Sequence, residues 1–231
     1  MAGASVTWRK MNGETYRCNR DYENLQKAVF NGVGEYGIPE IEPVYRLPEG
    51  DINWIGFNYV RGCSDPEDHG VHFFIDDYQF TRVWKDPDRY ADRLAQFKVV
   101  LSPDFSPYAD FPKAIQVFNH YRKHWCAAYW QMHGALVIPT ITWSDPSTFE
   151  WCFDGEPKGG IVAMSSLGCV TKKVYRKWLV DGFYLMMDKL FPREILWRGS
   201  IPEELDEFRS IITPLPVFTT RFDDMRKEKG K

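Results

Sequence analysis

The stretch from Phe97 to Ser144 limits the fold most, because it reads as a strand, a long helix and a second strand in succession. Phe97-Lys98-Val99-Val100-Leu101-Ser102 is a short apolar run, closed by the turn residues Pro103-Asp104-Phe105-Ser106-Pro107. Asp110 can cap the helix that follows, Pro112 suits its first turn, and Gly134 stops it after His133. Leu136 to Trp143 gives the second strand. Strands joined through a crossover helix run parallel, so the unit implies a parallel sheet with helices packed on it.

The rest of the chain repeats this alternation. Ile52 to Tyr59, Val71 to Ile75, Ile161 to Met164 and Glu194 to Trp197 are apolar runs bounded by turn residues. Asp86-Pro87-Asp88 opens a helix to Gln96, and one from Thr171 carries Tyr175, Leu179, Phe183, Met186 and Leu190 on a broad face. Phe149 to Phe153 alternates like a short exposed strand, and Asn19 or Asp21 can cap a helix carrying Tyr22, Leu25, Ala28 and Val29. Prolines 39, 43 and 48 predict an extended surface connection before the first sheet strand. The expected fold class is therefore α/β, a (β/α) barrel-like sheet. It is short of the ~250 residues of a full TIM-type barrel, and an open doubly wound parallel sheet is the alternative. The expected division is an N-terminal helix and arm over 1–50, a single α/β domain over 51–215 and a charged tail over 216–231.

A chain of 231 residues, 44% of them hydrophobic, can bury a full core as one domain. Its net charge of −3 and pI near 6.0 disfavour nucleic acid and anionic membrane as partners. The five cysteines, Cys18, Cys63, Cys126, Cys152 and Cys169, never form a C-x-x-C pair, which suits reduced thiols in the cytoplasm. No window nears the ~20 apolar residues of a membrane span, and Met1 to Lys10 has no signal-peptide core. The expected location is the cytoplasm. The nine tryptophans read first as core packing, ahead of a stacking platform.

Leu101-Ser102-Pro103-Asp104-Phe105-Ser106, Asn119-His120-Tyr121-Arg122, Tyr129-Trp130-Gln131, Ile138-Pro139-Thr140 and Phe149-Glu150-Trp151-Cys152-Phe153 occur in that order. In these motifs the chain resembles a family of bacterial prophage and mobile-element proteins, domain of unknown function 4417, over roughly Trp54 to Ser200. The resemblance implies a phage or mobile-element origin and carries no activity or catalytic residue with it.

Three aspartates sit where strands should end, Asp76, Asp77 and Asp104, and these are the expected catalytic groups; paired carboxylates there could also hold Mg²⁺. Ser165-Ser166-Leu167-Gly168 leads into a helix with Lys172 in its first turn, an arrangement of hydroxyls, backbone N–H groups and a cation that suits a phosphate. Ser106, Trp143 and Arg198 complete the expected ligand contacts, and Cys169 at the helix start is a conceivable nucleophile. On a wheel with Phe118 at zero, Tyr121, Trp125 and Tyr129 fall within about 60°, Arg122 near about 40°, and His120 and His124 near about 200° and 240°. The histidines should thus face solvent and hold no metal, while Arg122 needs a buried carboxylate or carbonyl. The function expected is binding or turnover of a small phosphorylated or nucleotide-like ligand at the strand ends. The alternative is a non-catalytic accessory protein that binds a host protein, for example one of a defence system, through an exposed patch away from those ends.

Overall fold

The computed structural model describes residues 7–11, 14–18, 23–25 and 27–216. Two short antiparallel pairs come first, β1 (Thr7–Met11) with β2 (Glu14–Cys18), and β3 (Gly32–Val33) with β4 (Ile38–Pro39). Parallel strands follow: β5 (Asn53–Gly56), β6 (His69–His72), β7 (Val99–Leu101) and β8 (Val137–Ile138) form one sheet, and β9 (Ile161–Ser165), β10 (Glu194–Arg198) and β11 (Ile212–Pro214) another. A parallel bridge from Thr140 to Ala163 joins the two, with Ala163 N–H donating to the Pro139 carbonyl and Ile141 N–H to that of Ala163. The seven strands therefore lie side by side in chain order. Among the described strands no pairing joins β5 to β11.

Helices α1 (Arg82–Lys85) and α2 (Pro87–Leu94) connect β6 to β7, α3 (Lys113–Met132) connects β7 to β8, and α4 (Lys173–Leu190) connects β9 to β10. Their ends follow local chemistry. Pro87 starts α2 where no N–H is required, Gly134 takes φ +89° just past α3, and Pro192 follows the left-handed Phe191 that closes α4.

Strand side chains alternate between faces, and the core divides accordingly. Val71, Val100 and Val137 pack with Leu94, Trp125 and Trp130 beneath α2 and α3. Val162, Met164, Ile195 and Trp197 pack with Leu179, Phe183 and Met186 beneath α4. The opposite faces of both sheets, Val99, Leu101, Ile138, Ile161, Ala163 and Leu196, meet in a third cluster closed by Val44 and Leu215.

Several expectations need correction. The helix expected near residues 19–29 starts outside the described residues, and 28–31 are irregular, with Leu25 and Val29 exposed. The proline-rich arm is no surface connection, since Ile38, Ile41 and Val44 are buried and Ile161 N–H donates to the Val44 carbonyl. Phe149 to Phe153 is a run of turns that buries Trp151, Cys152 and Phe153, so its alternation does not mark a strand. Beyond β10, where no further strand was expected, a 3₁₀ segment (Glu203–Ile211) leads into β11. The expected charged tail over 216–231 lies outside the described residues apart from Pro216.

Candidate functional site

Parallel strands aim the loops at their carboxyl ends the same way, and here those loops enclose a cavity of about 1070 Å³. The segment after β6 contributes Phe74, Ile75, Asp76 and Gln79, the turn after β7 Asp104 and Ser106 to Asp110, and the loop after β8 Ile141 to Ser144. The end of β9 and its turn add Met164, Ser165 and Leu167 to Cys169, and the first turns of α4 add Tyr175, Trp178 and Leu179. Three aspartates line the wall, Asp76, Asp104 and Asp110, with no lysine, arginine or histidine among the lining residues.

Asp104 stands out in this wall. Its Oδ1 is sealed from solvent with no hydrogen-bond partner among the described residues. Burial first, and the nearby Asp77 carboxylate second, push its pKa from 3.8 up to about 7. A carboxyl that titrates near neutrality can give or take a proton as a general acid or base.

The cavity brings together six of the expected site residues, Asp76, Asp104, Ser106, Trp143, Ser165 and Gly168. Four others are placed apart from it. Both Asp77 carboxylate oxygens accept from Ser106, at 3.0 Å from its N–H and 2.9 Å from its hydroxyl. Asn119 Nδ2 donates to the Ser106 carbonyl at 2.7 Å. Asp77 thus fixes the Asp104–Ser106 turn instead of facing the cavity. The buried Ser166 hydroxyl donates to the Ser200 carbonyl at 2.6 Å, and Arg198 Nη1 donates to that of Pro216 at 3.3 Å. Lys172 is not among the lining residues; its Nζ lies 5.1 Å from the ring centroid of Tyr175, which does line the wall. No side chain caps the first turn of α4.

Trp143 is set by its contact with α4. Its indole Nε1 donates to the Trp178 carbonyl at 3.0 Å, and a Cβ on Gly182 would lie 2.3 Å from the indole. Cys169 does not suit a nucleophile, because burial first and Asp104 second raise its thiol pKa.

Two helix-wheel expectations on α3 are overturned. His120 and His124 are buried at 4% and 0% exposure, because Ile38–Pro39 and the 151–156 segment cover the side of α3 that the wheel assigns to solvent. Among the described residues Arg122 hydrogen-bonds no carboxylate or carbonyl; its guanidinium stacks 3.8 Å from the Phe105 ring centroid, is half-buried, and feels the Asp77 carboxylate only through its charge. Beside the histidines, the wholly buried Lys123 donates to Glu156 Oε1 at 2.6 Å and to the Thr140 carbonyl at 3.0 Å. Sequence reasoning passed over Lys123 and Glu156 entirely. The only available signal was a lysine set between two histidines on a largely apolar helix.

A family model for a domain of unknown function, DUF4417, matches residues 30–215. The chain is 38% identical over 181 residues to the "Gene 1 protein" of Mycobacterium phage L5, spanning 78% of each. It is equally identical to the "Gene 1 protein" of Mycobacterium phage D29, spanning 78% of this chain and 66% of that one. No solved structure matches. Among the described residues no helix is long and apolar enough to cross a membrane.

Proposed function

The chain belongs to the DUF4417 family, whose relatives here are mycobacteriophage proteins, and from that premise we propose that it binds and turns over a small nucleotide-like ligand at the strand ends. The observation that carries this reading is Asp104, a half-buried residue with one sealed carboxyl oxygen and a pKa pushed up to about 7, on the wall of an aromatic cavity. A heterocycle suits the interior. Trp143, Tyr175 and Trp178 offer ring faces, and the three carboxylates accept hydrogen bonds from ring N–H and amino groups while opposing a bare anion. A phosphate belongs at the rim, where the uncapped first turn of α4 presents backbone N–H groups and Lys172 adds a cation. Mg²⁺ would let a polyphosphate approach the aspartates. The scaffold reading that goes with this is an open, barrel-like (β/α) sheet, supported by strands in chain order and by one apolar cluster that gathers residues from β7 to β10 with Val44 and Leu215.

Titration of nucleosides and their monophosphates, followed by tryptophan fluorescence, tests the reading. Trp143→Ala should abolish the signal for both, and Lys172→Ala should weaken the monophosphate about tenfold, or 1.4 kcal/mol, while sparing the nucleoside. Failure of every nucleoside and nucleotide to bind would remove it. The host-protein alternative has one feature in its favour, the exposed edge-on pair Tyr108 and Phe111, of which Tyr108 lines the cavity and so is not away from the strand ends. It would stand if the titrations were flat.

A further inference from the structure

A second cluster, beside Lys123 and outside the cavity lining, gathers His120, His124 and Glu156. His120 and His124 are four residues apart on α3, so their rings lie one above the other, centroids 4.4 Å apart. Each has one nitrogen tied to a main-chain carbonyl. His120 Nε2 lies 3.0 Å from the Asp154 oxygen and His124 Nδ1 2.8 Å from that of Pro39. A carbonyl accepts only, so these nitrogens carry the ring protons, and His120 Nδ1 and His124 Nε2 are left as lone pairs in the neutral rings. His124 Nε2 nevertheless lies 3.0 Å from Glu156 Oε1, an acceptor facing an acceptor. Such a contact needs a proton shared between the two atoms or a cation beside both. Lys123 bonds Oε1 on one side, and Glu156 Oε2 is buried with no hydrogen-bond partner among the described residues.

One nitrogen from each histidine and one Glu156 oxygen lie within 4.8 Å of one another. We propose that His120, His124 and Glu156 bind a divalent transition-metal ion of the zinc class. The donor set of two imidazoles and a carboxylate is one that zinc takes, and carbonyl bonds to the outer ring nitrogens are how metal-bound histidines are oriented. The Lys123 ammonium is the main cost, and uptake of the ion is balanced by release of a proton from the cluster. The ion would fasten α3 to the arm at Pro39 and to the turn at Asp154, a structural role separate from the cavity.

The test is the metal content of full-length protein purified without chelator or metal-affinity resin from zinc-supplemented cells. About one zinc per chain is expected, with a Tm rise of several degrees when zinc is returned to chelator-stripped protein. The variant His120→Gln/Glu156→Gln should lose both, whereas His69→Ala should lose neither, because Cys63, Asp65 and His69 are the other trio spaced to hold a metal among the described residues. Zinc-edge X-ray absorption on the wild type should show nitrogen and oxygen neighbours only. Zinc near background, or a sulfur neighbour that points to Cys63, overturns the assignment even if the double variant does not fold.

Discussion

Asp104 and His72 are both shifted by burial, with opposite consequences for pH. The Asp104 pKa rises from 3.8 to about 7, so its contribution is fully present below about pH 4 and is lost as pH rises through 7. His72, which accepts from the Phe74 N–H at 3.2 Å, is lowered by burial and then by Arg198 from 6.5 to about 3. Its contribution is present above pH 6.5 and is lost as pH falls towards 3. Asp104→Asn should therefore flatten the decline in stability between pH 4 and 7 and make the protein more stable at pH 8, by on the order of 1–3 kcal/mol. Urea unfolding of both proteins across that range checks it, and equal slopes would deny the burial of Asp104. Placing Asp104 at a strand end was possible from the apolar run before it. Its titration was not legible, because the shift comes first from burial and then from Asp77, and neither can be read from the run around Asp104.

Elements were legible where one face decides them. The strands at Val99, Val137, Ile161 and Glu194 are apolar runs buried on both faces, and their periodicity needs no knowledge of neighbours. The wheel for α3 ranked its most aromatic face correctly, with Trp125 and Tyr129 buried, but a second face is covered by the arm and the 151–156 turns. No local signal announces such a cover. On α4 the informative residue is Gly182, which a helix propensity alone would replace with alanine at a gain of about 1 kcal/mol. The Trp143 indole occupies that space. Gly182→Ala should displace the indole, blue- or red-shift its fluorescence and weaken ligand binding with little loss of helix content by circular dichroism; unchanged emission would contradict the packing.

At the scale of the molecule, the arm counts as core. Ile38, Ile41 and Val44 are each at most 5% exposed, and Val44 reaches the third apolar cluster between the two sheets. Removing residues 1–47 should abolish cooperative thermal unfolding, since burial of three aliphatic side chains is worth several kcal/mol against a typical total of 5–15. A truncated chain that melts as sharply as the intact one would show the arm to be dispensable.

Strands laid side by side in chain order have a temporal corollary. As the polypeptide leaves the ribosome, each new ribbon meets a finished neighbour, so assembly can advance from one edge without waiting for distant partners. The exception is the seam between Val44 and Ile161, where the earliest part of the scaffold is recruited by a much later one. Until that residue emerges, a nascent chain carries an unclosed apolar flank, and this is the interval in which a chaperone has something to hold.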